Sequence, residues 1–73
     1  MEWFDLTADS PLVGRTLAEA GIRPETGTSV IAVRRGGETL ANPEPETTFA
    51  ADDVLVVLGT REQLAAFETT FLE

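Results

Sequence analysis

Two consecutive arginines, Arg34 and Arg35, are the residues of this chain best suited to bind an anion. They are two of only 5 basic residues, and a guanidinium group pairs bidentately with a phosphate or a carboxylate. Adjacent residues of a strand point to opposite faces, so the two side chains do not form one patch within a single chain. We expect at least one of them to bind an anion. The alternative is a pair of solvated charges that offset an acidic surface.

The segment Asn42-Pro43-Glu44-Pro45 is a second candidate for recognition. Its two prolines hold the backbone extended and stiff. The Asn42 amide offers both a donor and an acceptor, which suits the edge of a nucleobase or a carboxylate. The alternative is a structural connection that protects the edge of a sheet.

No enzymatic constellation accompanies these residues, because the chain contains 0 His and 0 Cys. This composition excludes histidine-based nucleophilic triads, imidazole metal sites and thiolate metal sites. The sequential carboxylates Asp52 and Asp53 diverge, and we expect them to form a turn. Glu44 and Glu46 lack a third oxygen ligand, and the 6 glycines form neither a dinucleotide fingerprint nor a phosphate loop. The sequence therefore predicts a protein that is not an enzyme and holds no metal.

The charge balance limits the classes of partner. The 73 residues include 13 acidic and 5 basic side chains, which gives a net charge of -8. Such an acidic surface repels nucleic acid and anionic membranes, so we expect neither as a partner. No apolar run approaches the roughly 20 residues of a membrane span, which predicts no direct membrane insertion.

The elements that must position these residues follow from periodicity and capping signals. β-branched runs predict strands, Ser10-Pro11 is typical of a helix start, and Thr60 with Gln63 predicts a capping box. Leu64, Phe67 and Phe71 then form an apolar helical stripe that should face a sheet. The predicted elements are a strand at residues 2–7, a helix from Ser10-Pro11 to Gly21, strands at residues 29–35, 38–40 and 53–58 with a hairpin turn at Gly36-Gly37, and a helix after Thr60.

This β-α-β-β-β-α order predicts an α+β fold with a mixed four-stranded sheet and both helices on one face. Residues 1–73 are expected to form one domain. Residues 53–58 are apolar on both faces, so we expect this strand to be covered on both sides. We also expect a homodimer, because the chain is short and both faces of some strands are apolar.

Four motifs in this order resemble the RCK C-terminal domain, also called the TrkA C-terminal domain, of potassium-transport regulators. Together they span nearly the whole chain. The motifs are S-P-L-V-G-R-T-L-A-E-A-G-I-R at residues 10–23, S-V-I-A-V-R-R-G-G at 29–37, N-P-E-P-E-T-T-F at 42–49 and D-D-V-L-V-V-L-G at 52–59.

The resemblance implies a dimeric regulatory domain of a cation transporter, channel or cation/proton antiporter, with potassium as the expected ion. It places the domain in the cytoplasm, held at the inner face of the membrane by its transporter partner. The Rossmann half that usually accompanies such domains is not found in these 73 residues, so no NAD or ATP site is carried over. The chain is then either a fragment of a larger regulator or a stand-alone subunit.

The resemblance further implies a ligand, because some members bind cyclic di-AMP (c-di-AMP) in the dimer cleft. A dimer with two-fold symmetry matches a ligand with two-fold symmetry. Each copy then supplies the same arginine, so that the two arginines bind the two phosphates. The alternative is a ligand-free dimerisation module of a transporter's cytosolic part. The positions that match the family's ligand contacts are Val30, Ile31, Arg34, Arg35, Asn42 and Pro43.

Overall fold

A computed structural model describes residues 1–72 and contains four strands and three helices. The strands and helices confirm the α+β class. Among residues 1–72, no helix is long and apolar enough to cross a membrane. The elements are β1 (Glu2–Asp5), α1 (Leu17–Ala20), α2 (Ile22–Thr26), β2 (Ser29–Arg35), β3 (Glu38–Ala41), β4 (Val54–Leu58) and α3 (Arg61–Phe71).

The four strands form one sheet in the order β1-β4-β2-β3. Each neighbouring pair is antiparallel, so the prediction of a mixed sheet is wrong. The reason is the position of β4. The helical connection from β1 to β2 leaves these two strands parallel to each other, but β4 inserts between them and runs antiparallel to both.

The first helix begins later than predicted. Residues around Pro11 form turns, and α1 starts only after Thr16. Gly14 has φ +90°, which a helix does not tolerate, and its N–H donates to the carbonyl of Phe49 at 2.9 Å. The Phe49 N–H in turn donates to the carbonyl of Arg15 at 2.9 Å. This long-range backbone pairing holds the segment in turns where the local sequence predicts a helix.

Ser10 has a different role from the predicted helix cap. Its hydroxyl is buried and donates to the carbonyl of Phe71 at 2.8 Å, and it accepts from the Leu12 N–H at 3.2 Å. Ser10 therefore joins the first loop to the last turn of α3. The capping box at Thr60 and Gln63 is confirmed, with its two hydrogen bonds at 3.1 and 2.9 Å.

The hydrophobic core lies between the helices and one face of the sheet. Phe67 of α3 is fully buried, and its ring centroid lies 5.1 Å from that of Phe4 and 5.4 Å from that of Phe71. Leu64 and Phe71 belong to the same buried cluster as Leu55 and Val57 of β4. The prediction that the helices lie on one face and that the α3 stripe faces the sheet is confirmed.

The opposite side of the sheet, which we call the open face, has no helix of residues 1–72 packed on it. Alternation along the strands places Trp3, Val54, Val56, Leu58 and Ala32 on this face. Val56 is buried and Val54 half-buried, but Trp3 is 55% and Leu58 51% exposed. The prediction that β4 is covered on both sides is therefore wrong for the single chain.

Candidate ligand-binding site

The hairpin formed by β2 and β3 carries the predicted site residues. Gly36 and Gly37 have φ +57° and +87°, the left-handed conformations that a two-residue hairpin turn requires. The register pairs Arg35 with Glu38 and Arg34 with Thr39. The hairpin predicted from the sequence is confirmed, and it places both arginines beside the turn.

Asn42 lies at the opposite end of the hairpin and is joined to Ile31. Its N–H donates to the carbonyl of Ile31 at 2.8 Å. Asn42 has φ +50°, a conformation that asparagine adopts more readily than most residues. Val30 and Pro43 are the chain neighbours of this pair. The structure therefore joins the backbones of Ile31 and Asn42 at one end of the hairpin, with Val30 and Pro43 adjacent to them in sequence.

A β-bulge at Ile31 changes which side chains share a face. The register shifts between Val30 and Ala32, which pair with Val57 and Val56 respectively. Val30 consequently packs against the core, whereas Ala32 lies on the open face. A bulge of this kind re-aims side chains next to it and is common near functional sites.

A cavity of about 550 Å³ follows β3 and the loop after it. Asn42 and Pro43 line it, as do the carboxylates of Glu44 and Glu46. Among residues 1–72, no arginine lines this cavity. Val30 lines a separate cavity of about 310 Å³ beside α1 and α2.

Arg34 lines another hollow, of about 280 Å³, with Trp3, Asp52 and Val54. Its side chain is exposed, and it forms no ion pair within residues 1–72. Thr39, the cross-strand partner of Arg34, precedes Asn42 by three residues, so about 10 Å of strand separates Arg34 from Asn42. A single chain therefore does not bring the candidate anion ligand to the Asn42 end of the hairpin.

Arg35 has a structural partner that sequence reasoning missed. Its Nε donates to Asp53 Oδ1 at 2.8 Å, and its Nη2 donates to Asp53 Oδ2 at 2.7 Å. The same Nη2 also donates to the carbonyl of Thr48 at 2.9 Å. The Asp53 side chain is only 1% exposed and accepts a further hydrogen bond from the Ala50 N–H at 2.9 Å. Of the two predicted arginines, Arg34 is therefore the one whose side chain forms no ion pair within residues 1–72.

The ion pair sets the ionisation of both groups. Burial by itself raises the pKa of Asp53, but the hydrogen bonds from Arg35 and Ala50 and the charge of Arg35 outweigh it, so the pKa lies below the ordinary value. The hydrogen bonds to Asp53 likewise raise the pKa of Arg35. Asp53 is thus a buried carboxylate held ionised, whereas Asp52 adopts a left-handed turn conformation with φ +72° and matches the predicted turn.

Comparison with known proteins identifies the family. The family model described as the TrkA-C domain matches residues 1–72. The match confirms the resemblance that the four motifs indicated.

Curated relatives include potassium channels and cation transport subunits. The K(+)/H(+) antiporter subunit KhtT of Bacillus subtilis is 33% identical over 73 residues, which cover 99% of this chain and 44% of KhtT. The probable potassium channel protein 2 of Methanocaldococcus jannaschii is 37% identical over 65 residues, which cover 89% of this chain and 19% of that protein. The chain spans less than half the length of these two relatives. The prediction that the chain is not an enzyme agrees with these relatives, which are a channel protein and an antiporter subunit.

Solved structures confirm the fold. The RCK C domain of the potassium transport protein KtrA, in complex with c-di-AMP, has a TM-score of 0.81 and 28% identity, and the match covers 93% of this chain and 80% of that chain. The RCK_C domain dimer of Streptococcus agalactiae BusR, also in complex with c-di-AMP, has a TM-score of 0.86 at 20% identity, with 93% of this chain and 90% of that chain covered.

Proposed function

The chain belongs to the TrkA-C domain family, and on this premise we propose that it is a ligand-sensing regulatory domain of a cation transporter, channel or antiporter. Potassium is the expected ion, because potassium channels and a potassium/proton antiporter subunit stand among the relatives. The observation that carries the proposal is the family match over residues 1–72. The domain would act in the cytoplasm, attached to the inner face of the membrane through its transporter partner.

The proposed ligand is c-di-AMP, bound between two copies of the chain. The bound ligand of the KtrA domain, which is 28% identical to this chain, supports this choice. In this chain Ile31 would contact an adenine through apolar surface, beside Val30, which packs against the core. Asn42 beside Pro43 would read the edge of the adenine. Arg34 would bind a phosphate, while Arg35 would support the site through Asp53 rather than through the ligand.

Two copies are needed because one chain does not complete the site. Arg34 lies about 10 Å along the hairpin from Asn42, and the cavity beside Asn42 is lined by Glu44 and Glu46. Carboxylates alone would repel a phosphate. A two-fold dimer supplies Arg34 twice and matches a ligand that has two equivalent phosphates.

Ligand binding would regulate transport by favouring one relative arrangement of the two copies. The shift in that equilibrium is limited by the difference in the ligand's affinity for the two arrangements. A transporter attached to the dimer would then be biased towards one conformational state.

The alternative is a dimerisation module that holds transporter subunits together without a ligand. The net charge of -8 and the two carboxylates in the Asn42 cavity favour this alternative, because both oppose a dianionic ligand.

Calorimetric titration tests the ligand. We expect c-di-AMP to bind the parent chain, whereas ATP, the control nucleotide, should bind much more weakly. Arg34→Ala should abolish binding and Arg34→Lys should restore it only in part, since lysine lacks the bidentate fork. A parent chain that binds neither nucleotide would support the ligand-free module. Binding that survives Arg34→Ala would place the phosphate site elsewhere.

A further inference from the structure

The outer edge of β1 carries backbone groups that no strand of the described chain pairs with. β1 is the first strand in the sheet order β1-β4-β2-β3, so only one of its sides has a neighbour. The Leu6 N–H donates to the carbonyl of Asp53 at 2.8 Å, which continues the pairing of β1 with β4. Backbone groups alternate between the two sides of an antiparallel strand, so those of Phe4 also face β4, whereas those of Trp3 and Asp5 point outward.

This outer edge is acidic and has an exposed aromatic side chain. Glu2 and Asp5 are exposed, and Trp3 is 55% exposed. β1 contains none of the lysines, prolines or bulges that commonly protect an edge strand. The opposite edge strand, β3, lines the Asn42 cavity and belongs to the candidate ligand-binding site. The outer edge of β1 therefore offers a partner hydrogen-bonding groups, two carboxylates and one indole that the ligand site does not use.

We propose that the outer edge of β1 binds an extended, basic segment of the transporter's cytosolic part as an added strand. This inference rests on the proposed function, which attaches the domain to a membrane transporter, and it names the chemistry of that contact. Main-chain hydrogen bonds to Trp3 and Asp5 would provide affinity, and alternate side chains of the segment would provide specificity.

Charge complementarity favours a basic segment. Cytosolic loops of membrane proteins carry an excess of lysine and arginine, whereas this chain has a net charge of -8. Residues of the added strand opposite Trp3 and Asp5 would share the open face with them. An arginine opposite Asp5 would form a cross-strand ion pair, and one opposite Trp3 would stack on the indole. A second copy of β1 would bring two further carboxylates and no basic side chain, so it fits this edge poorly.

The exposed guanidinium of Arg34 does not oppose such a segment. Arg34 lies in the same row of the sheet as Asp5, with Val54 of β4 between them. A strand added beyond β1 lies three strand spacings from Arg34, which is about 14 Å. This distance exceeds the Debye length of about 8 Å at physiological ionic strength, so the repulsion is largely screened.

A synthetic peptide tests this edge without a transporter. The probe is a heptapeptide that alternates arginine and valine and has arginine at both ends. Amide hydrogen exchange followed by NMR, without nucleotide, measures the protection of single N–H groups in the parent chain. The peptide should slow exchange of the Trp3 and Asp5 amides about tenfold or more, whereas the Phe4 amide, which already faces β4, should change little.

An N-methylated peptide separates strand addition from attraction between opposite charges. The same heptapeptide with its backbone amides N-methylated keeps its charge but cannot donate hydrogen bonds to the edge. It should bind about tenfold more weakly or worse, because several backbone hydrogen bonds are lost.

Substitutions in the chain provide matched controls. Asp5→Pro removes an outward N–H without removing a bond to β4, and it should lower the affinity for the peptide. Asp5→Asn keeps that N–H and should weaken binding about two- to fivefold, as expected for the loss of one cross-strand charge pair. Glu25→Gln removes the same charge from an exposed position of α2 and should weaken binding less than Asp5→Asn does.

Three results would overturn the inference: equal affinity for the two peptides, protection confined to amides outside β1, or no binding of the heptapeptide. A parent chain that binds c-di-AMP but not the heptapeptide would overturn the β1 contact and leave the proposed function intact. A parent chain that binds the heptapeptide along β1 but no nucleotide would support the contact and reject c-di-AMP as the ligand.

Discussion

The guanidinium of Arg35 and the carboxylate of Asp53 join the last residue of β2 to the residue that precedes β4, at 2.8 and 2.7 Å. The same guanidinium also donates a hydrogen bond to the carbonyl of Thr48 at 2.9 Å. The pair therefore fixes the end of the central strands and the loop between β3 and β4. Arg34, one residue earlier, forms no ion pair within the described chain, so two neighbouring arginines have opposite roles.

This difference predicts opposite effects of two alanine substitutions on stability. Arg35→Ala should lower the free energy of unfolding by about 3 kcal/mol, because it leaves the buried carboxylate of Asp53 without its charged partner. Arg34→Ala should change it by less than about 0.5 kcal/mol, as expected for an exposed side chain. Urea unfolding of both variants measures the two values. Equal losses of stability would contradict the assignment of Arg35 as a structural residue.

The depressed pKa of Asp53 predicts a dependence on pH. Because its pKa is lower in the folded than in the unfolded chain, ionised Asp53 stabilises the fold above its unfolded pKa of about 3.9, and this stabilisation is lost as pH falls through the folded pKa. Asp53→Asn removes the titrating group. The difference in unfolding free energy between parent and variant should be largest near neutral pH and should shrink below about pH 4. A difference that stays constant down to pH 2 would be inconsistent with an ionised Asp53.

The core prediction concerns Phe67. Phe67→Ala should lower the free energy of unfolding by about 3–5 kcal/mol, since it removes a fully buried ring that packs on Phe4 and Phe71. This is a large share of the free energy of unfolding of a typical domain, which is roughly 5–15 kcal/mol. Thr69→Ala, an exposed position of the same helix, is the control and should change stability little. If Phe67→Ala melts at the same temperature as the parent, α3 does not pack on the sheet through Phe67 as described.

Asn42 allows the ligand contact to be separated from the backbone conformation. Asn42→Gly keeps the left-handed φ of +50° accessible and removes the amide, so it should weaken c-di-AMP binding at least tenfold while stability stays within about 1 kcal/mol of the parent. Asn42→Ala should lose binding as well and lose additional stability, because alanine is strained at this φ. Titration and thermal melting of both variants provide the test. Unchanged affinity in Asn42→Gly would remove the amide from the site.

Local signals predicted those features that depend on neighbours in sequence. The Gly36-Gly37 turn and the capping box at Thr60 each need only a few adjacent residues, and both were predicted correctly. Ser10-Pro11 carries an equally good helix-start signal, but backbone pairing of Gly14 with Phe49 outweighs it. No local pattern reveals that the Gly14 N–H donates to a carbonyl 35 positions away.

The candidate site shows the same limit, because contacts between residues distant in sequence leave no local signal. The residues predicted for the site, from Val30 to Pro43, belong to one hairpin, which is contiguous in sequence and therefore visible to local signals. The partner of Arg35 is 18 residues away, immediately before β4, and the sequence does not say which strand lies beside β2. A consecutive pair of aspartates predicts a turn, and Asp52 forms one. That Asp53 turns inward instead depends on the insertion of β4 between β1 and β2.

The number of nucleotides bound per chain tests the central claim most directly. A calorimetric titration of c-di-AMP into the parent domain, with the chain concentration set by its absorbance, measures this stoichiometry together with the affinity. A site shared across a two-fold axis predicts one nucleotide for every two chains, and no saturable binding to Arg34→Ala. One nucleotide per chain, or no binding at all, would contradict the account of a ligand-sensing dimer.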